Sequence, residues 1–216
     1  MAGRVGPLLR RAWEMEAANW RSMYLWARRK PPPLGDGGEA FGYLGVVKPI
    51  LAVLVVLSVV EIPILDLIIK NVVPWQPARW IMLAISVWGL LWMIGLLASM
   101  KIHPHVVGAA GIRVRMGAGL DFVLPWGDVE AVRKGYRSMP SGKSVQIEEE
   151  RGRRVLQVVV SSQTSVDVRL RRPVDVALPQ GGSGPVEEVR LYADDPDAFA
   201  KAASLRIREL APDRAD

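Results

Sequence analysis

The chain changes its pattern of hydrophobic and polar positions three times, and each pattern predicts a different kind of structure. Residues 1–30 carry apolar side chains at three- and four-residue spacing, which predicts an amphipathic helix. Residues 43–100 contain two long apolar runs, which predict a transmembrane hairpin. From residue 101 onward polar and apolar residues alternate, which is typical of β-strands. The sequence therefore predicts an α+β membrane protein with a soluble part.

The two apolar runs have the lengths of membrane-spanning helices. Trp80–Met100 holds 21 residues without a charge, which as a helix extends about 31 Å and matches a hydrocarbon core of about 30 Å. The first run covers about 44–69, with Pro49 suited to its first turn and Lys48 able to reach the headgroups. More Lys and Arg flank the hairpin than lie in its short connection, so the positive-inside rule predicts a multi-pass protein of the cell membrane with both termini cytoplasmic.

Two carboxylates, Glu61 and Asp66, interrupt the first run together with Pro63. If the helix begins near Lys48, Glu61 lies inside the hydrocarbon, where an ionised carboxylate is costly and commonly functional. If the helix begins near Phe41, Glu61 lies at the outer headgroups and the residues after it form an interfacial segment. The sequence leaves both frames open. The two carboxylates are five positions apart, about 140° around a helix, so they do not form one paired site.

The N-terminal helix has aromatic residues on one side and arginines on the other. This composition favours a helix that lies in the plane of an anionic cytoplasmic leaflet, and the alternative is that its apolar face packs on the soluble domain. In the first interpretation the membrane-surface anchors are Trp13, Trp20, Tyr24, Arg28 and Arg29. Residues 31–42, which begin with three prolines and contain four glycines, predict a linker.

Residues 101–210 predict a β domain. Alternating and β-branched runs, separated by glycines and short polar turns, predict an antiparallel β-barrel of about seven strands. The segment Asp194–Asp197 supplies an N-cap, a proline for the first helical turn and acids for the helix dipole, so a closing helix is expected over 195–210. Residues 211–216 are expected to form a tail. The predicted domain is therefore a small barrel capped by a C-terminal helix.

This order of elements resembles the small actinobacterial two-span membrane proteins that carry a bacterial pleckstrin-homology-like domain. The resemblance covers Phe41 to Leu210 and is carried by packing and turn patterns: His103-Pro104, Gly111–Arg115, Leu124-Pro125, Val129–Val132, Ser161–Val174 and the closing helix. It implies a PH-like fold. In eukaryotic relatives of that fold, basic residues at the open end of the barrel bind phosphoinositide headgroups, but their basic motif is not matched residue for residue here.

The sequence gives no support for catalytic or cofactor chemistry. The chain has no cysteine, so disulfides and thiolate metal sites are excluded. His103 and His105 are the only histidines, and no further metal ligand lies near them in the sequence. A nucleophile elbow, a phosphate loop and a dinucleotide fingerprint are all missing. We therefore predict no catalytic residues, no metal, no cofactor and a protein that is not an enzyme.

Basic residues supply the remaining candidate site. The net charge is +6, but residues 101–216 contain 18 Lys and Arg and 16 Asp and Glu, so their charges nearly balance. Nucleic acid is therefore not predicted as a partner. The alternative for the basic residues is a solvated face whose charges are offset by neighbouring acids. The candidate lipid- or partner-binding residues are Arg113, Arg115, Arg133, Lys134 and Arg137.

These patterns together predict a membrane-anchored, non-enzymatic interaction or scaffold module. We expect it to bind a protein partner or anionic lipid at the cytoplasmic leaflet, with membrane lipids and a second copy of the chain as further partners. The alternative is an accessory subunit of a transport or proton-coupled membrane complex in which Glu61 is the working carboxylate.

Overall fold

The computed structural model describes residues 5–29, 38–73, 75–150, 152–179 and 181–210, so the predicted tail over 211–216 and residues 31–37 of the predicted linker lie outside the described residues. The chain divides into two compact units. The helical unit comprises residues 1–30 and 47–102, and the β unit comprises residues 31–46 and 103–216.

The helical unit contains α1 (Val5–Ala27), α2 (Lys48–Val72) and α3 (Gln76–Ile102). Both α2 and α3 are long and apolar enough to cross a membrane. They hold 25 and 27 residues, about 37 and 40 Å of helix. Helix α2 is shifted toward the C-terminus relative to the predicted span of about 44–69, because it begins at Lys48 and continues through Pro63 to Val72. Helix α3 is longer than the predicted 80–100, because Pro77 stands in its first turn, where a proline is tolerated.

The β unit has nine strands and one helix among its described residues. The strands form two sheets with the orders β1-β2-β3-β4 and β5-β8-β9-β7-β6, and every pair is antiparallel except β7–β9, which is parallel. The bounds are β1 Glu39–Phe41, β2 His105–Val107, β3 Gly111–Met116, β4 Leu120–Pro125, β5 Val129–Ser138, β6 Val145–Glu150, β7 Arg153–Val158, β8 Gln163–Leu178, β9 Gly181–Leu191 and α4 Pro196–Glu209.

The predicted α+β class is confirmed, but the described strands do not close into the expected barrel. They number nine rather than about seven and lie in two sheets, one of which includes a parallel pair. The additional strands β1 and β2 have three residues each, too few for a period-two pattern to stand out in the sequence. The PH-like fold stays a prediction.

The hairpin of α2 and α3 is inserted between two neighbouring strands. Strands β1 and β2 pair antiparallel, with Phe41 opposite His105. Along the chain, α2 and α3 come between these two strands. The residues that the sequence analysis divided between a linker (31–42) and the start of the hairpin (from 43) thus include a strand of the β unit.

The segment that follows β1 is also fixed within the β unit. The backbone N–H groups of Leu44 and Gly45 donate to the Asp194 carboxylate at 3.1 and 2.7 Å. The Tyr43 side chain is fully buried, and its hydroxyl accepts a hydrogen bond from Gly117 N at 2.7 Å. Burial raises the pKa of Tyr43 to about 12, so the hydroxyl remains protonated at neutral pH.

Both sheets and α4 share one hydrophobic core. Ile112 of β3, Leu156 of β7 and Phe199 of α4 are fully buried in it. The α4 helix begins as predicted, because the Asp195 side chain accepts a hydrogen bond from Ala198 N at 2.9 Å. Phe199 meets Phe41 edge to face at 4.9 Å, so β1 contributes directly to the core.

Candidate functional site

In each of the two long helices, a charged residue lies near either end of the apolar segment, and the two charges are separated by a similar distance in both helices. In α2, Lys48 and Asp66 are 18 residues apart, about 27 Å along the axis. In α3, Arg79 and Lys101 are 22 residues apart, about 33 Å. A hydrocarbon core of about 30 Å lies between these two values, so each apolar segment suits a bilayer core with a charge at each boundary.

Asp66 and Arg79 bind each other across the turn of the hairpin. The Arg79 Nε and Nη2 atoms each lie 2.7 Å from an Asp66 carboxylate oxygen, and both side chains are about one-quarter exposed (24%). The pairing is bidentate, the strongest geometry for an arginine and a carboxylate. Asp66, predicted as an intramembrane polar residue, therefore joins the end of α2 to the start of α3.

Glu61 lies inside α2 without a partner. The helix begins at Lys48, so Glu61 is 13 residues along it, about 20 Å from its start. Its side chain is exposed, and its carboxylate has no hydrogen-bond or ion-pair partner among the described residues. The helix thus begins where the first of the two frames places it, near Lys48.

The amphipathic helix α1 packs on α3 through polar and small residues. Asn19 Nδ2 donates to the Trp92 carbonyl at 3.1 Å, and Trp20 meets Trp88 edge to face at 5.3 Å. Gly95 permits this approach, because a Cβ there would lie 2.6 Å from Asn19 Nδ2. The leaflet and the soluble domain were the two contacts expected for α1, and the contact with α3 was not predicted, because a single Asn19 and a glycine leave little trace in the hydrophobic pattern.

Four of the five predicted membrane anchors are exposed on α1 or directly after it. Trp13 and Tyr24 are 74% and 52% exposed, and the Arg28 guanidinium lies 4.6 Å from the centre of the Tyr24 ring. Arg29 is exposed as well. Trp20 instead packs on α3, and its indole N–H donates to Glu16 at 2.9 Å. The outward face can still contact a leaflet, whereas Trp20 has a structural role.

The predicted basic residues of β3 bind an acid on the neighbouring strand. Arg113 donates two hydrogen bonds to Asp121, at 2.7 and 2.6 Å, and Arg115 Nε lies 3.6 Å from the same carboxylate. Burial disfavours the charged form of Asp121, but the two arginines together outweigh it, and the pKa of Asp121 lies below its usual value. Arg115 is only 2% exposed, so it does not offer its charge to a ligand.

The three predicted basic residues of β5 lie on the other sheet and are also largely paired. Lys134 Nζ lies 2.6 Å from an Asp197 oxygen, and this hydrogen bond raises the pKa of Lys134. Arg137 pairs with Asp167 on β8. Arg133 is exposed and has no polar partner among the described residues. The structure therefore forms two separate groups from the five residues, and four of the five already contact a carboxylate.

A groove of about 250 Å³ opens where the pairing of β8 and β9 is interrupted. The register shifts between the pairs Arg169–Glu188 and Val174–Val186, which leaves room for side chains from both strands and their neighbours. Four arginines line the groove together with glutamates: Arg153, Arg169, Arg171 and Arg172. The sequence places Arg169 and Arg171 on one strand face, but the strand irregularity that opens the groove is not visible in the pattern.

The groove carries both signs of charge. Arg169 pairs with Glu130 at 3.2 Å, and Arg153 lies 3.8 Å from Glu187. Arg171 is exposed and donates from Nε to a backbone carbonyl at 3.0 Å, with no carboxylate partner among the described residues. Such a surface suits a ligand that presents acids and bases together.

His105 has a structural role rather than that of a metal ligand. Its Nδ1 accepts a hydrogen bond from Arg115 N at 3.1 Å, and its Nε2 lies 3.0 Å from the Tyr192 carbonyl, so Nε2 carries the proton. Burial lowers the pKa of His105 to about 4. Within the described residues no group of three or more His, Cys, Asp or Glu side chains is placed to hold a metal ion.

Comparison of the chain with protein-family models, with curated proteins and with solved structures gives no match.

Proposed function

We propose that this chain is a membrane-anchored, non-enzymatic interaction module. In this proposal α2 and α3 span the cell membrane with both termini in the cytoplasm, and the β unit presents its groove to a protein partner at the cytoplasmic leaflet. The observation that carries the proposal is the insertion of the hairpin between the paired strands β1 and β2.

Membrane insertion is supported by the surface of the hairpin. No residue of α2 is buried, and its exposed large hydrophobic side chains are all Leu, Ile or Val. A soluble protein rarely exposes an apolar surface of this extent. The charged residues at the helix ends are spaced for a hydrocarbon core, which gives the same conclusion from a separate observation.

The insertion gives the β unit two short connections to the membrane. Only residues 42–47 separate β1 from α2, and residues 103 and 104 separate α3 from β2. A domain held in this way stays close to the leaflet, so its effective concentration there is high and a weak contact with another membrane protein becomes sufficient.

The charge distribution favours a protein over an anionic lipid. A lipid headgroup needs free cations, whereas Arg113, Lys134 and Arg137 already contact carboxylates. The groove instead offers paired arginines and glutamates beside Arg171. Arginine is enriched in protein interfaces, and mixed charge selects a partner of complementary pattern.

The test uses the full chain in its native membrane, with a photo-crosslinking residue at Arg171 and, as the matched control, at Arg133. We expect a defined protein to crosslink from position 171 and not from 133, and Arg172→Glu to abolish that product. Equal crosslinking from both positions, or crosslinking to lipid alone from position 171, would contradict a protein-binding groove. Alkaline extraction of the same membranes checks that the chain is integral.

A second candidate function, membership of a transport or proton-coupled complex, is favoured by the exposed carboxyl of Glu61 at mid-helix. Glu61→Gln keeps the shape and hydrogen-bonding capacity of the side chain but cannot carry a proton. Loss of the cellular phenotype with intact membrane assembly would support this second function over the interaction module.

A further inference from the structure

Of the two carboxylates of α2, Glu61 is the one without a partner among the described residues. Asp66 and Arg79 use each other in a bidentate pair. Lys48 is 13 residues away at the start of α2, about 20 Å along the helix. Among the described residues, no cation of the hairpin binds the Glu61 carboxylate, which leaves this group open to a partner from a second molecule.

The exposed residues around Glu61 form a regular stripe along α2. Their spacing alternates between four and three residues, and each of the apolar members is between 43% and 57% exposed. The members are Ile50, Leu54, Leu57, Glu61, Ile64 and Ile68. We call this set the Glu61 stripe. A stripe of this period is the seam that two helices use when they pack as a left-handed pair.

The Glu61 stripe is distinct from the face of α2 that meets α3. The half-buried residues Ser58, Ile62 and Leu65 belong to that second face, which repeats with the same period. Glu61 and Ile62 are adjacent in sequence, about 100° apart around the helix. Helix α2 therefore has one face occupied by α3, and the Glu61 stripe belongs to the exposed remainder of its surface, where it is distinguished from neighbouring apolar rows by its carboxyl group.

The chemistry of a carboxyl in hydrocarbon points to a second carboxyl as its partner. An ionised carboxylate costs up to about 3 kcal/mol at the centre of a membrane helix, and Glu61 lies five residues inside Asp66, about 7.5 Å, so an unpaired charge is disfavoured there. A neutral carboxylic acid has one O–H donor and a carbonyl acceptor. Two such groups are self-complementary, because each O–H donates to the carbonyl of the other.

Membrane topology brings identical residues to the same depth. Two copies inserted in the same direction relate to each other by a two-fold axis along the membrane normal, and such an interface places each residue near its own counterpart. Glu61 of one copy and Glu61 of the next then lie at one level. A single polar residue in an otherwise apolar seam also fixes the register of the two helices.

We propose that two copies of this chain associate in the membrane through the Glu61 stripe, with the two Glu61 carboxyl groups hydrogen-bonded to each other. The inference rests on the proposed membrane insertion of the hairpin and adds a self-association surface to the module.

The test measures association of the purified full chain in liposomes of neutral phospholipid. The chain has no cysteine, and a Cβ at Gly142 meets no atom within 4 Å, so Gly142→Cys provides one site for donor or acceptor dye. We expect energy transfer between copies. Glu61→Leu should weaken association about five- to thirty-fold, the range for one or two interhelical hydrogen bonds. Glu61→Gln, which keeps a donor and an acceptor, should retain it.

Oxidative crosslinking locates the contact. Leu57→Cys lies in the Glu61 stripe and should form a disulfide between copies, whereas the matched control Val56→Cys, exposed but about 100° around the helix, should not. Monomers in liposomes, unchanged association of Glu61→Leu, or crosslinking from Val56→Cys alone would overturn the proposal. Alkaline extraction separates the two failures: an integral but monomeric chain overturns only this pairing, whereas an extractable chain overturns the membrane module as well.

Discussion

At the scale of single residues, the enclosure of His105 couples the stability of the β unit to pH. Its pKa is about 4 in the folded chain, against 6.5 when exposed, so the unfolded chain binds a proton first as pH falls. The stability that neutral His105 confers is fully present above pH 6.5 and is lost as pH falls toward 4. The loss amounts to roughly 3 kcal/mol over this window.

The prediction is checked by urea unfolding of the full chain in detergent at pH 7 and pH 4.5, followed by tryptophan fluorescence. His105→Gln has no titrating group at this position, so it should lose less stability between the two pH values than the wild-type chain does. The comparison uses the pH slope of each protein, because the substitution also removes packing at any pH. Identical slopes would show that other groups dominate the acid response.

Single residues also show where sequence patterns stop being informative. Arg113 and its partner Asp121 are eight residues apart, and only the β3–β4 register places them together. Arg190 is 5% exposed and binds Glu150, 40 residues away, at 2.9 and 2.7 Å. Alternation in the sequence predicts the strand that carries each arginine, but strand pairing decides which acid it meets.

At the scale of elements, the turn before β8 has a sequence that does not suit its geometry. Val160 and Gln163 exchange two backbone hydrogen bonds, at 3.1 and 3.0 Å, around Ser161 and Ser162. Both serines have positive φ, 50° and 60°, a combination that favours Asn followed by Gly. We expect Ser161→Asn with Ser162→Gly to stabilise the β unit by about 1 kcal/mol, measured as a higher urea midpoint. A lower midpoint would indicate that the serine side chains contribute more than the backbone strain costs.

The Asp66–Arg79 pair is expected to fix the helix ends of the hairpin. Asp66→Asn removes the ion pair and Arg79→Gln does so from the other side, so each should make the hairpin easier to open. The double exchange Asp66→Arg with Arg79→Asp restores an ion pair and should recover much of the loss. Protease accessibility of residues 73–75 in liposomes measures opening. Equal accessibility of all variants would mean that helix packing alone holds the turn.

The elements differ in how far the sequence predicts them. The α2 and α3 helices follow from long apolar runs, and α4 follows from its N-cap and proline. The packing of α1 on α3 does not, because it depends on Asn19 and on the absence of a side chain at Gly95. Close approach of two helices through small and polar residues leaves little signal in a hydrophobic pattern.

At the scale of the whole molecule, the order of elements along the chain does not match the division into units. Sequence analysis divides a chain at linkers and changes of composition, so it placed the boundary of the soluble domain after the second span. Strand β1 precedes the hairpin by only a few residues and pairs with β2, which follows it. Three-residue strands beside long apolar helices contribute little to any local pattern, so this non-local pairing emerges only from the structure.

A stable β unit is expected to need residues from both sides of the hairpin. Residues 31–46 joined to 103–216 by a short Gly/Ser segment, in place of the hairpin, should fold cooperatively and remain soluble without detergent. Residues 103–216 alone lack β1 with Phe41, which packs on Phe199 at 4.9 Å, and the buried Tyr43. Loss of one large buried aromatic costs about 3–5 kcal/mol, a large share of the 5–15 kcal/mol typical of a domain.

Chemical unfolding followed by circular dichroism compares the two proteins. We expect a cooperative transition for the joined protein and a non-cooperative one, or aggregation, for residues 103–216. Phe41→Ala in the joined protein is the matched control, because it removes the β1 contribution to the core while keeping the strand. If the fragment 103–216 is as stable as the joined protein, β1 pairs with the edge of the sheet without contributing to the stability of the β unit. The hairpin would then join the β unit through a flexible tether on its N-terminal side, which would weaken the argument for a domain held close to the leaflet.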